Sequence, residues 1–96
     1  MLVVVAYDVN TETVQGQRRL RSVAKECSRY GQRVQNSVFE CLVSPSDYLM
    51  LKHALKEIMN FEQDSLRFYN LGSTYSAKIE RYGRRRHLPF DDLMII

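Results

Sequence analysis

Residues 31–43 read Gly31-Gln32-Arg33-Val34-Gln35-Asn36-Ser37-Val38-Phe39-Glu40-Cys41-Leu42-Val43, and the fold turns on whether they form one long strand or two short ones. Val34, Val38 and Leu42 share one parity, while Phe39, Cys41 and Val43 share the other. An extended chain would send these two sets to opposite faces of a sheet. Ser44-Pro45 ends the segment, because proline removes a ladder donor and fixes φ.

Working toward the N-terminus, Gly31 is placed to stop a helix predicted over residues 11–30. Leu20, Val23, Ala24 and Cys27 follow the i, i+3, i+4, i+7 pattern of a packed face. Arg18, Arg21, Lys25 and Arg29 fall on the other side. Before that helix, residues 2–6 are an unbroken, β-branched apolar run, which predicts a first strand buried on both faces. Working toward the C-terminus, Ser46 is expected to cap a second helix running to about residue 60, with Tyr48, Leu51, Leu55, Ile58 and Met59 on its apolar side. A third strand is predicted over 64–71, a turn at Gly72-Ser73, and a fourth strand over 77–82.

The resulting order is strand, helix, strand, helix, strand, strand. The closest common architecture is the α+β ferredoxin-like sandwich, βαββαβ, in which strands two and three are adjacent in sequence. Two readings reconcile the orders: residues 31–43 contain a break that makes them a bent hairpin, or the last strand has an unusual role. Residues 1–82 are expected to form the domain and 83–96 a tail. The tail ends in Leu93-Met94-Ile95-Ile96, and four large apolar residues in a row need a groove or a sheet edge. An edge on a second copy would serve, through an exchanged strand in a homodimer.

Ninety-six residues give one small core and little room for an enclosed substrate pocket. The 45% hydrophobic and 26% charged content is that of an ordinary soluble domain. The N-terminal apolar run is too short to span a membrane and lacks a basic leader, so the expectation is a cytoplasmic protein without a membrane partner. Cys27 and Cys41 have no zinc-like spacing with a histidine pair and are read as reduced core residues. Net charge is only +3, but its distribution is uneven. Between residues 14 and 36, Arg18, Arg19, Arg21, Lys25, Arg29 and Arg33 face a single acid, Glu26. A second group, Lys78, Arg81, Arg84, Arg85 and Arg86, is offset by Glu80 alone. Arginine-rich clusters suit a phosphate backbone, against the alternative of a plain solvated face.

Asp8 stands at the end of the first strand, where its charge is costly to bury without a partner. Asp8, Asn10 and Thr11 all suit a strand-to-helix turn, so Asp8 is either a structural cap or a ligand for a cation. His53 and His87 show no convergent arrangement that would make either a general base.

The strand ending in Tyr7-Asp8, the arginine-bearing helix and the segment from Gly31 through Arg33, Gln35, Ser37 and Phe39 to Glu40 together resemble the small CRISPR-associated "Cas-two" family, partner of the "Cas-one" integrase in spacer acquisition. The resemblance covers essentially the whole chain. It implies a ferredoxin-like homodimer with exchanged C-terminal strands, and it favours the hairpin reading, with a short turn near 39–45. It also implies a metal-dependent endonuclease acting on RNA or double-stranded DNA. Asp8 matches the family's metal-site residue, and Tyr7, Arg33, Ser37 and Phe39 match other recurrent positions. Asp8, Tyr7, Ser37 and Phe39 are therefore the candidate catalytic residues. Arg18, Arg19, Arg21, Lys25, Arg29 and Arg33 are the candidate nucleic-acid-binding residues; the helix register leaves Arg18, Arg19 and Arg21 all open as matches to the family's helix arginines. The Arg84-Arg85-Arg86 run resembles the variant found beside type I systems.

The implied cofactor is Mg²⁺, a hard ion that prefers oxygen ligands and often takes only one or two carboxylates. A single Asp8 is a poor site, but two-fold symmetry would bring two copies of it to one ion. Weak catalysis is expected from so sparse a set. A non-catalytic dimeric adaptor that tracks DNA for the integrase uses the same arginines, as does a toxin-like ribonuclease without an integrase partner. An RNA-recognition domain is disfavoured, because Arg67-Phe68-Tyr69 does not match its stacking motif.

Overall fold

A computed structural model describes residues 1–84. Residues 31–43 are two strands, not one. β1 (Leu2–Asp8) leads to α1 (Val14–Cys27), then β2 (Gly31–Gln35), β3 (Val38–Leu42), α2 (Pro45–Ile58), β4 (Ser65–Gly72) and a single 3-10 turn at Tyr75–Lys78. The sheet is antiparallel at every pairing, with spatial order β2-β3-β1-β4. This is the ferredoxin-like arrangement expected from the sequence.

The hairpin turn lies at Asn36-Ser37, between the paired Gln35 and Val38, rather than near 39–45. Neither residue has a positive φ, so the turn is not one of the tight glycine- or asparagine-led types that match strand twist. A register shift between Arg33 and Gln35 accommodates it. Gly31 does not end α1; it opens β2, where an added Cβ would meet the Glu40 carbonyl oxygen at 1.8 Å.

α1 is shorter than the sequence suggested and α2 lies two residues earlier, because polar residues set their ends. The Asn10 side-chain oxygen accepts from Glu12 N–H at 2.9 Å, and Thr13 caps α1 by accepting from Gly16 N–H at 3.0 Å. For α2 the cap is Ser44, whose hydroxyl accepts from Asp47 N–H at 3.1 Å, and not Ser46. Pro45 thus ends the hairpin and also occupies the first turn of α2, where a missing N–H costs nothing.

Both helices cover the same face of the sheet. Val3, Val5 and Tyr7 of β1 join Phe39 and Cys41 of β3, Val23 and Cys27 of α1, and Leu51 and Leu55 of α2 in one buried cluster. Leu20, Ala24, Tyr48, Ile58, Met59, Leu66 and Phe68 pack around it. Cys27 and Cys41 are free and buried, and the Cys27 thiol is pushed up first by hydrogen bonding with Cys41 and then by burial. It is therefore held as an inert thiol.

The other face of β1 is not covered to the same degree within one chain. Leu2 is buried there, Val4 and Ala6 are half-buried and Asp8 is exposed, so the expected burial on both faces is complete on one and partial on the other. The fourth strand predicted over 77–82 is absent: β4 pairs only with β1 among the described residues, and after Gly72 (φ +74°) the chain enters the 3-10 turn. The Lys78 ammonium donates to the Leu71 carbonyl at 3.0 Å, which fixes this turn beside the end of β4. Apart from Gly83 and Arg84, the tail expected to exchange between copies, with Arg85, Arg86, His87 and the terminal apolar run, lies outside the described residues. Among the described residues no helix is long and apolar enough to cross a membrane.

Candidate functional site

Side chains alternate along β1, so Tyr7 and Asp8 point to opposite faces. Asp8 stands at the strand's end, paired in register with Ser65, the first residue of β4. Around it is an open depression of about 370 Å³, lined by Ala6, Tyr7, Asp8, Ser37, Val38, Ser65, Arg67 and Tyr69. The Arg67 guanidinium donates to the Tyr69 hydroxyl at 3.4 Å. Arg67 is held charged above its already high ordinary value, first by that contact and then by further electrostatics that include Asp8. The depression thus combines one exposed carboxylate, two serines, a phenol and a guanidinium.

Tyr7 faces the other way. Its ring is only 1% exposed, and its hydroxyl donates to the Asp64 carboxylate. Arg19 grips the same carboxylate with two N–H groups, Nε to Oδ2 at 2.8 Å and Nη2 to Oδ1 at 3.1 Å. The Asn60 backbone N–H adds a fourth donor at 2.9 Å. The Asp64 side chain has no exposed surface and that of Arg19 only 16%. Burial works to raise the Asp64 carboxyl, but the hydrogen bonds from Arg19, Tyr7 and Asn60 outweigh it and hold the group below its usual range. Tyr7 is pushed up to about 12, mainly by burial and then by its bond to Asp64. A phenol so reluctant to ionise does not serve as a base near neutral pH.

The candidate residues from the sequence therefore separate into groups. Asp8 and Ser37 line the depression. Tyr7 borders it by position, with its hydroxyl committed elsewhere. Phe39 is a core residue, 1% exposed, with the Arg33 guanidinium 5.4 Å above its ring; this is a cation–π contact on the helical side of the sheet. Arg18, Arg21 and Lys25 line a shallow trough with Ser22 along the outer face of α1. All three are exposed and make no ion pair among the described residues. Arg29 is exposed and 3.6 Å from Glu26. Arg19, one residue from Arg18, is turned inward onto Asp64.

Sequence reasoning missed Ser65, Arg67 and Tyr69 as neighbours of Asp8, and Asp64 as the partner of Tyr7 and Arg19. Arg67 and Tyr69 were legible as one parity of a strand, but nothing in the sequence said that β4 would pair with β1 in the register Ala6 to Arg67.

The donors around Asp8 are oxygens, which suits a hard cation such as Mg²⁺. Among the described residues no group of three or more His, Cys, Asp or Glu is arranged to hold a metal. One chain supplies a single carboxylate, and a partial site.

The family profile described as "CRISPR associated protein Cas2" matches residues 1–79. The chain is 47% identical over 95 residues to a CRISPR-associated endonuclease Cas2 of Halalkalibacterium halodurans, covering 99% of both chains. It is 49% identical over 96 residues to a CRISPR-associated endoribonuclease Cas2 of Chlorobaculum tepidum, covering 100% of both. Among solved structures, Streptococcus pyogenes Cas2 at pH 6.5 matches with a TM-score of 0.79 and 54% identity, over 86% of this chain and 100% of that one.

Proposed function

Because this chain belongs to the CRISPR-associated Cas2 family, we propose that it is a weak Mg²⁺-dependent endonuclease, acting on RNA or double-stranded DNA, that works as a homodimer with the Cas-one integrase in spacer acquisition. The relatives' names, endonuclease for one and endoribonuclease for the other, support phosphodiester hydrolysis and leave both substrates in play. The observation that carries the reading is the depression at the end of β1, where the exposed Asp8 carboxylate stands among Ser37, Ser65 and Arg67.

Asp8 is the residue that would hold the ion, with a second copy's Asp8 completing the pair of carboxylates. When bound, the ion supplies Lewis-acid polarisation of a phosphoryl oxygen and a lowered pKa for water. The protein's own groups do the rest. Arg67 offers a guanidinium to the charge that develops on phosphate, and the serine hydroxyls orient substrate or solvent at the rim. The half-buried Val4 and Ala6 beside Asp8 support dimerisation through this face, since an apolar sheet face gains from being covered.

Backbone recognition falls to Arg18, Arg21 and Lys25. They form a cationic row with no base-reading element, so affinity is expected to be salt-sensitive and nearly sequence-blind. One observation favours the adaptor as a second reading. This row lies on the outer face of α1, which covers the side of the sheet opposite to Asp8, so a chain could track nucleic acid without bringing it to the carboxylate.

Removal of divalent ions with EDTA decides between the two. A nuclease loses cleavage of RNA or duplex and regains it with Mg²⁺; an adaptor cuts nothing in either state while binding duplex throughout. Reversal of charge at Arg18 and Arg21 is expected to weaken binding to unrelated sequences alike, and a sequence preference that survives high salt would contradict the backbone reading.

A further inference from the structure

We propose that Tyr7, Asp64 and Arg19 form a positioning relay that sets the rim of the Asp8 depression for a divalent cation, and that Arg19 acts through this relay and not as a phosphate ligand. The inference rests on the metal-site reading of Asp8 and extends it to three residues on the opposite face of the sheet.

The geometry makes Tyr7 the common anchor of the rim. Asp8 follows it directly in β1. The Tyr7 backbone N–H donates to the Ser37 carbonyl at 2.9 Å, which fixes the hairpin turn against β1. Its hydroxyl donates to Asp64, the residue before Ser65, and Ser65 is the register partner of Asp8. One residue thus ties Asp8, Ser37 and Ser65, the carboxylate and the two serines of the depression. The ends of paired strands are ordinarily the first part of a sheet to open, and Asp8–Ser65 is such an end. Arg19 reaches from α1 to close it, holding Asp64 by two N–H groups and reaching the Gln63 side-chain oxygen at 3.4 Å. Asn60 holds the approach to β4: its N–H donates to Asp64, and its side-chain oxygen accepts from the Glu62 and Gln63 N–H groups at 2.9 and 3.1 Å. Groups that orient a ligating residue from behind are a recurrent feature of metal sites.

The two roles for Arg19 predict different losses. A phosphate ligand contributes to nucleic-acid affinity, so its removal raises KM with little change in kcat. A positioning residue changes ion affinity and kcat, and leaves duplex binding alone.

The test is a Mn²⁺ titration followed by water-proton relaxation, run beside duplex binding by fluorescence anisotropy, on the wild type, Tyr7→Phe, Arg19→Ala and Arg19→Lys. Tyr7→Phe removes one hydroxyl and keeps the ring in the core, so it is the variant least exposed to misfolding. It is expected to weaken Mn²⁺ binding about tenfold with duplex affinity unchanged. Arg19→Ala should behave in the same way, and Arg19→Lys should recover part of the ion affinity. Where the wild type cuts, these variants lose kcat at constant KM. If the wild type binds Mn²⁺ but does not cut, the nuclease reading fails and the relay still stands or falls on ion affinity. The relay is overturned if Tyr7→Phe binds Mn²⁺ like the wild type, if Arg19→Lys weakens duplex binding as much as charge reversal at Arg18 does, or if the wild type binds no Mn²⁺.

Discussion

Tyr7 and Asp8 are neighbours in one strand and live in opposite surroundings. Tyr7 is closed in by α1 and the start of β4, and its hydroxyl is used by Asp64. Asp8 is open to solvent in a depression that contains Arg67 and Tyr69. The same division separates Arg19 from Arg18 on α1: one guanidinium is locked to a buried carboxylate, and its neighbour is exposed in a cationic row. The helix-covered face supplies the packing that holds the sheet rigid; the open face and the outer side of α1 carry the groups free to meet a ligand. Residues that a family pattern places together therefore have different duties, which the direction of each side chain decides.

The sharpest way to break this division is at Phe39, which the sequence placed among the catalytic candidates and the structure places in the core. Phe39→Ala is expected to cost about 3–5 kcal/mol of stability, measured by urea denaturation. A fully stable variant that had lost only cleavage would return Phe39 to the active site.

Tyr7→Phe comes next. It deletes one hydrogen bond to a charged acceptor and is expected to cost about 1.5–3 kcal/mol. The pH dependence sharpens the point. Tyr7 is raised from 10.0 to about 12 in the folded chain, so its contribution is complete below pH 10 and is lost as pH rises from 10 through 12. The stability gap between wild type and Tyr7→Phe should narrow across that window. Asp64 is depressed below 3.8, so its contribution is present above that pH and disappears as pH falls through the folded value. Asp64→Asn should remove that acid-side loss. Denaturation curves at a series of pH values check both arms, and a constant gap from pH 8 to 12 would contradict the placement of the Tyr7 hydroxyl.

A smaller effect is expected where the chain leaves Asp8 for α1. A Cβ at Gly16 would meet the Asn10 carbonyl oxygen at 1.8 Å, so Gly16→Ala must move the loop between β1 and α1. Backbone displacement opposes the better helix propensity of alanine, and the net loss should be no more than about 2 kcal/mol. Thermal melting measures it; a stabilised variant would show that the loop is not fixed against the helix.

Most of the fold was legible in the sequence. The apolar run of β1, the 3.6-residue period of α1 and α2, and the alternation of β4 all appear close to where they were read. The hairpin was legible only as an alternative, because Asn36-Ser37 has no glycine and the parity of Val34 and Val38 runs unbroken across it. The predicted strand over 77–82 failed for a different reason: alternation sets the side-chain faces, but a return strand must also reach the free edge of β4, and the 3-10 turn at Tyr75–Lys78 takes up the chain where that strand would begin. Asp8 was legible because an acid closing an apolar run is conspicuous. Arg67 and Asp64 were not, since their roles depend on β4 lying beside β1 and on α1 crossing the end of that pair. Arg19 was indistinguishable from Arg18 in a cationic helix until Asp64 gave it a partner.

The contrast between the two faces is tested most directly at Asp8. Asp8→Asn keeps the side chain's shape and its capacity to cap a turn, and removes the charge that would hold Mg²⁺ in the proposed site. Stability is expected to stay within about 0.5 kcal/mol of the parent, with duplex affinity unchanged and Mg²⁺-dependent cleavage lost. A variant that cuts as well as the parent would contradict the account, make Asp8 a turn residue, and put the cleaving group somewhere other than this depression.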